Sequence, residues 1–362
     1  MTESTGQTLG AEPISPAASA NEVIDVIIAS HNARTTILRA IASALACPPV
    51  AHIIVVDDAS SDGTADLVDA QYAGNPSVRL LRGSRNVGPA AARNLAIAHV
   101  ASPYFAILDS DDYFLPDRFS QLFTGEPFDI WADNILFTNR SDLIDRADLT
   151  GGGLLPHTDE NGRNGEVARI GLREFILGNL ADFSRRRHQL GFCKPILRTA
   201  FVRDKGLRYD EALRLGEDFV FLMDLLTAGA RFHFSRGCGY VAIERSDSLS
   251  ARHGVDDLSS LLAAETRLLA TWPKKSLVGR AMARRHRQTL CKYNHARTLE
   301  QRRAAGVMSG LRAALSLPVR QAADVGKAWL QDKLQAAAAA LRPRKATDAF
   351  CYYMISADIR WQ

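Results

Sequence analysis

The chain has 362 residues, 46% of them hydrophobic and 23% charged, with a formal net charge of +4; such a composition can bury a full core and excludes a disordered polyelectrolyte. Its length predicts about two domains. The five cysteines, Cys47, Cys193, Cys238, Cys291 and Cys351, stand far apart, which argues for reduced structural thiols and against a zinc site or a disulfide framework.

Residues 1–21 are polar, with Pro and Gly and early acids. Lacking a basic start and an apolar centre, they predict a disordered tail on a cytoplasmic protein rather than a secretory signal. No run approaches the roughly 18 apolar residues of a membrane span. From there strands and helices alternate. VIDVIIAS (23–30) is a continuous β-branched run, as a fully buried parallel strand requires, and TTILRAIASALA (35–46) has helical spacing. AHIIVVDD (51–58) predicts a second strand, DGTADLVDAQYA (62–73) a helix and VRLLRG (78–83) a third strand. GPAAARNLAIAHV (88–100) predicts a helix and YFAILDS (104–110) a fourth strand. The order β-α-β-α-β-α-β implies an α/β fold with a mainly parallel central sheet, helices on both faces and ligands beyond the carboxyl ends of the strands.

Those ends are polar. The first strand runs into Ser30, His31 and Asn32, the second into Asp57 and Asp58, the third into Arg85, Asn86, Val87 and Gly88, and the fourth into Asp109, Asp111 and Asp112. Caps and turns use the same residue types, so each cluster alone is weak. Four on one sheet edge point to a site. In FAILDSDDYFLPDRF (105–119), three carboxylates in four positions repel one another and raise one another's pKa unless a cation lies between them.

VIIASHN, VVDDASSDGT, RNVGPAAARNLAI and AILDSDDYFLP together resemble the N-terminal half of family 2 glycosyltransferases, which have the nucleotide-sugar-binding GT-A fold. The resemblance is strong over 23–119 and looser to about 250, with His31 where Tyr is common and Ala59 where Gly is. It implies that Asp109 and Asp111, with Asp112 close enough to exchange roles, contact the ribose of a UDP-sugar and hold Mg2+ or Mn2+, a hard cation suited to carboxylates and phosphates. Asp57 or Asp58 would accept the uracil N–H. Ser30, His31, Asn32, Asn86, Gly88, Arg93 and Asn94, with Lys194 and Arg245 further along the chain, complete the expected donor contacts.

Further on, Glu217-Asp218 precedes FVFLMDLLTAG, an amphipathic helix. Acids in a first helical turn also arise simply to complement the macrodipole. The family carries an E-D pair here, so the resemblance makes Asp218 the general base, with Glu217 the next candidate. The reaction it implies is a single displacement that inverts the linkage, from an α-linked donor to a β-glycoside. Between the halves, GGGLLPHTDENGRNGE predicts a loop, and SRRRHQLGFCKP brings Arg185, Arg186, Arg187, His188 and Lys194 together, either a solvated basic surface or a phosphate contact. GYVAIERSDSLSARHG resembles a family segment near the active-site floor, which nominates Arg245 and Ser248.

The expected units are 1–21 as a tail, 22–250 as the GT-A domain and 251–362 as a basic helical C-terminal region. Between 274 and 345 there are 17 Lys and Arg against 3 acids, so an acidic body carries a basic segment. With few aromatics for stacking, that segment argues against nucleic acid and leaves a solvated face or an anionic membrane surface; the family resemblance, whose bacterial members commonly meet lipid-linked acceptors, implies the membrane. LGFCKPILRTAF and LGEDFVFLMDLLTAGA are similar in overall pattern to enzymes of bacterial exopolysaccharide synthesis, including succinoglycan glucosyltransferases, which implies glucose transfer to a lipid-linked oligosaccharide and peripheral attachment to the inner face of the plasma membrane. A sugar nucleotidyltransferase would show a Gly-rich N-terminal loop, which VIIASHNARTT lacks. A noncatalytic sugar-binding or scaffold protein would not need both acidic sites.

Overall fold

The computed structural model describes residues 22–139, 167–180, 189–244, 254–341 and 351–354. The expected tail, the Gly-rich stretch 151–166, Arg185, Arg186, Arg187, His188, Arg245 and Ser248 lie outside the described residues.

The predicted alternation is present: β1 (Ile24–Ser30), α1 (Ile37–Leu45), β2 (Val50–Asp57), α2 (Thr64–Tyr72), β3 (Val78–Arg82), α3 (Pro89–His99) and β4 (Tyr104–Ile107). Ile24, Val26, Ile27 and Ile28 of β1 are fully buried, because parallel strands are covered on both faces. Helix α1 buries Ile37, Ala40, Ile41 and Ala44, an i, i+3, i+4, i+7 stripe. Helix α3 begins at Pro89, whose fixed φ suits a first helical position. Its buried Ala90, Ala92, Ala96 and Ile97 bring it down onto β1 and β2. Strand β4 stops at Ile107, earlier than expected, where the chain turns through Asp109 and Asp112.

The later elements are β5 (Tyr113–Phe114), β6 (Ile130–Thr138), β7 (Val167–Ile170), α4 (Leu172–Leu177), a 3-10 turn (Leu190–Phe192), β8 (Ile196–Arg198), α5 (Thr199–Asp204), α6 (Glu217–Thr227) and β9 (Phe232–Ile243). One sheet runs β3-β2-β1-β4-β8-β6-β9-β5, with β10 (Cys351–Tyr353) added to β6 and β7 to β9. The long pairings are parallel: β1 with β2 and β4, β2 with β3, and β6 with β9. The antiparallel pairings are short and insert β8 between β4 and β6. The strand order changes direction at β1, so the crevice between β1 and β4 is the switch point where such sheets bind ligands.

Four helices follow: α7 (Val255–Ala270), α8 (Leu277–Ala305), α9 (Val307–Leu315) and α10 (Val319–Leu341). Helix α8 is the spine, packing on α4, α7, α9 and α10. The C-terminal region is not wholly helical. Strand β10 returns to the sheet, where Tyr352 stacks on Phe137 at 5.3 Å between ring centroids.

Candidate active site

Two turns at the carboxyl ends of β1 and β2 are knitted together. Asp58 N–H donates to the Ser30 carbonyl at 2.7 Å, and the His31 ring contacts the Asp58 carbonyl through Nδ1 at 2.9 Å. Asn32 accepts from Ser61 N–H at 2.9 Å. Asn32 and Ala59 both hold positive φ, 51° and 56°; Ala59 is the position where the family commonly has Gly. Left-handed conformations at non-glycine residues are costly and cluster at ligand sites.

The adjacent carboxylates of Asp57 and Asp58 do different work. Asp58 accepts from Val87 N–H and Gly88 N–H, both at 2.8 Å. Its two oxygens thereby hold the loop before α3. Asp57 accepts from Ser60 N–H with Oδ2 at 3.0 Å, while its Oδ1 is buried without a partner among the described residues, as is Ser30 Oγ. Asp57 also lines a cleft of about 330 Å³ with Ala59, Ser60, Ser61 and Gly83. Of the two alternatives for the base contact, Asp57 retains the open acceptor. Asn86 is exposed and Gly88 is buried with φ 91°.

The centre is an ion-pair cluster built from both halves of the chain. Arg93, buried on α3, donates to Asp109 Oδ1 at 3.0 Å, Glu217 Oε1 at 3.1 Å and Asp218 Oδ1 at 3.2 Å. Lys194 Nζ lies 2.7 Å from Asp109 Oδ2 and 3.2 Å from Asp218 Oδ2. Burial alone would raise the Asp109 carboxyl, but Lys194 and Arg93 outweigh it and hold the group well below the usual carboxylate range. Burial works against both cations too, yet the facing carboxylates win and raise Lys194 and Arg93 above their ordinary values. Three carboxylates against two cations leave this cluster with net negative charge. The cation demanded by the D-x-D-D run is thus partly built in.

Glu217 and Asp218 occupy the first turn of α6 behind Gly216, which has φ 76°. A Cβ on Gly216 would lie 2.8 Å from Leu261 Cδ1 of α7, so glycine here permits both the turn and the close helix packing. Tyr209 closes the back of the cluster: its ring is 5.5 Å from the Arg93 guanidinium and stacks on Phe221. Lys194 is positioned through its backbone. Buried Arg118 donates to the Lys194 carbonyl and to Asp133 Oδ1 at 2.6 and 2.9 Å.

Two expected ligands point elsewhere. Asp112 turns into the core, accepting from the Tyr240 hydroxyl at 2.7 Å and Ile243 N–H at 2.9 Å. Both of its oxygens are thereby engaged within the protein, and burial, reinforced by the charges of Asp111 and Asp109, pushes its carboxyl well above the usual range. Asn94 is also turned inward, donating to the Tyr209 carbonyl at 3.0 Å and Glu211 at 2.9 Å. Tyr209 N–H donates back to Asn94 Oδ1 at 2.9 Å. Its amide fixes the segment before α6 instead of facing a donor. Sequence reasoning overlooked Tyr209 and Arg118, although RYDEALRLGED and FLPDRF place each beside a motif residue.

Among the described residues no group of three or more His, Cys, Asp or Glu side chains is arranged to hold a metal by itself. Mg2+ and Mn2+ need less: one or two carboxylates, with substrate phosphates and water completing the shell. Asp109, about 30% exposed, and the partly exposed Asp111 supply such a set of hard oxygens at the end of β4. Among the described residues Cys47, Cys193, Cys238 and Cys291 form no disulfide, and burial pushes the Cys47 thiol up to about 12.

Residues 25–140 match the model of glycosyl transferase family 2. A succinoglycan biosynthesis protein, ExoU of Rhizobium meliloti, is 37% identical over 313 residues, 85% of this chain and 87% of that one. The crystal structure of S. aureus TarS 1-349 in complex with UDP-GlcNAc superposes with a TM-score of 0.54 at 17% identity, over 84% of this chain and 78% of that one. Mannosyltransferase PcManGT from Pyrobaculum calidifontis, in complex with GDP-Man and Mn2+, superposes with a TM-score of 0.52 at 15% identity over 88% and 90% of the two chains. The two structural likenesses bear on the fold and the full-length relative on the family: the chain belongs to glycosyl transferase family 2, on a GT-A fold.

Proposed function

We propose that the chain is an inverting hexosyltransferase that moves glucose from a UDP-sugar to a lipid-linked oligosaccharide, forming a β-glycosidic bond in bacterial exopolysaccharide synthesis. The observation that carries the reading is the convergence of Asp109 and Asp218 on Arg93 and Lys194. A donor-side carboxylate and a candidate base, 109 positions apart in the chain, share the same two cations. The succinoglycan assignment of the R. meliloti relative supports the pathway class. The UDP-GlcNAc bound to TarS supports a UDP-sugar, and the Mn2+ bound to PcManGT supports a divalent ion.

In this reading Asp57 accepts a uracil N–H, and Asp109 and Asp111 face the ribose and diphosphate. A divalent cation held by those two carboxylates would supply positive charge to the leaving diphosphate. Lys194 can exchange a carboxylate for a phosphate oxygen, since its ammonium is a flexible point charge within reach of both acids. That exchange loosens its hold on Asp218. Asp218 then takes the proton of the acceptor hydroxyl as that oxygen attacks the anomeric carbon, with Glu217 anchoring Arg93. The units 22–250 and 251–362 are proposed as catalytic domain and membrane-facing region, with peripheral attachment at the inner face of the plasma membrane. Among the described residues no helix is long and apolar enough to cross a membrane.

Purified protein titrated against a panel of nucleotide sugars, with released nucleoside diphosphate measured, tests the reading. Turnover confined to UDP-glucose and dependent on added Mg2+ or Mn2+ is expected. Turnover with another donor alone would replace the sugar, and turnover unaffected by EDTA would remove the metal.

A further inference from the structure

Most large apolar side chains on the body of this protein are buried. Among the exposed ones in the described residues, one group stands close together. Val307, Met308, Leu311 and Leu315 of α9 are 64%, 62%, 39% and 71% exposed, and Val319 at the start of α10 is 86% exposed. At 100° per residue the four α9 positions fall within an arc of about 100°. They form an outward face. The adjoining arc carries Gly310, Ala313 and Ala314, which are buried.

The fold presents this face deliberately. Gly306, with φ 83°, ends α8 and starts α9. The helix then folds back on α8 so closely that a Cβ on Gly310 would lie 2.8 Å from Arg302 Cβ and 3.0 Å from the Thr298 carbonyl. Small residues therefore take the inner contact and the large apolar ones are left outside. Around them stand Arg302, Arg303, Arg312 and Arg320, all exposed, and none makes an ion pair with a carboxylate among the described residues. The two ion pairs nearby use Arg287 and His295, with Asp324 and Asp332 of α10.

We propose that α9 is an in-plane anchor that seats Val307, Met308, Leu311 and Leu315 in the headgroup boundary of an anionic bilayer. The surrounding arginines would contact lipid phosphates. An apolar face bordered by unpaired basic residues fits the chemistry of an interfacial helix, whose binding adds apolar burial to attraction for anionic lipid. A protein partner with a merely apolar surface would leave four guanidinium groups unmatched. The inference deepens the membrane attachment in the proposed function by replacing a diffuse basic tail with a defined insertion face. It does not depend on which sugar is transferred.

The test uses the full chain in flotation assays with phosphatidylcholine vesicles with and without 30% phosphatidylglycerol. Met308→Asp/Leu315→Asp, both at exposed positions, should weaken binding to anionic vesicles by about tenfold or more. Circular dichroism and UDP-sugar hydrolysis without acceptor should not change. Arg302→Gln/Arg303→Gln/Arg312→Gln should remove the preference for anionic lipid. Raising salt should weaken the wild type only in part, because apolar burial is not screened. Unchanged vesicle binding by the Asp double variant would overturn the proposal. So would a wild-type dimer in light scattering that the same variant dissolves, since the face would then belong to a second copy. A wild type that binds anionic vesicles but transfers no sugar would instead count against the proposed function and leave the anchor standing.

Discussion

The guanidinium carbon of Arg285 lies 3.6 Å from the centroid of the Phe219 ring, one residue past the candidate base Asp218. Through this contact the basic helix α8 braces the start of α6. Arg285 also donates to the Asn179 carbonyl at 2.7 Å and pairs with Glu265 at 3.0 Å. Glu265 is fully buried, and it accepts from the Thr289 hydroxyl at 3.0 Å as well.

Breaking this pair from one side should be far worse than removing it whole. Arg285→Ala takes the nearer cation from a buried carboxylate and leaves it only the His286 ring at 3.7 Å, at a cost of about 3–5 kcal/mol. The double variant Arg285→Met/Glu265→Leu, which fills the space with apolar atoms, should recover most of that loss. Urea unfolding of the two proteins checks it. Equal destabilisation by both would mean that packing on Phe219, not the buried charge, dominates.

Asp218→Asn keeps the shape of the candidate base and removes its proton affinity. Turnover should fall by about 100-fold or more with little change in donor KM. Steady-state kinetics with the preferred donor measures it. A variant that keeps near-normal kcat would transfer the role of base to Glu217, which shares Arg93 with it.

The first half of the site was legible because its chemistry sits at the ends of buried parallel strands. β-branched runs mark such strands, and Ser30, Asp57 and Asp109 end them at one sheet edge. The direction of each side chain was not legible. Asp111 and Asp112 are neighbours in sequence, yet the turn after β4 sends Asp112 to Tyr240, a partner 128 positions away. Lys194 read as part of a basic run because its two carboxylates belong to other elements. The Arg285–Glu265 pair joins two helices across 20 positions, so no i, i+4 pattern announces it. The outward face of α9 was not legible, because only tertiary packing shows which side of a helix remains outside.

Asp109 and Asp112 should respond to pH in opposite senses. Lowering of the folded-state pKa makes Asp109 stabilising above its unfolded value of about 3.9, a contribution lost as pH falls through the folded value. Asp109→Asn should therefore be less stable than wild type at neutral pH, with the deficit closing only in strong acid. Asp112 has a raised folded-state pKa, so its contribution is complete below about pH 3.9 and is lost as pH rises through the folded value. Asp112→Asn, neutral at every pH, should match wild type in acid and exceed it near neutrality. Thermal melts from pH 3 to pH 8 separate the two. A neutral-pH loss in Asp112→Asn would show that its carboxylate is needed in the charged form.

The last expectation concerns the open oxygen of Asp57. Its Oδ2 is held by Ser60 N–H, while Oδ1 is buried and has no partner among the described residues, a cost that a donor N–H from a ligand would offset. Uracil offers that N–H at its pairing edge, and cytosine has only an acceptor at the same ring position. The wild type should therefore bind UDP more tightly than CDP. A hydrogen bond to a charged acceptor contributes about 1.5–3 kcal/mol, which corresponds to roughly 10- to 150-fold in affinity. Asp57→Asn can turn an amide N–H toward the ligand, so its UDP affinity should fall by about that factor and its preference over CDP should shrink or reverse. Titration calorimetry with both nucleotides measures the four affinities. Equal losses for UDP and CDP would assign Asp57 to holding the Ala59 turn, and the uracil contact would pass to another group in the cleft.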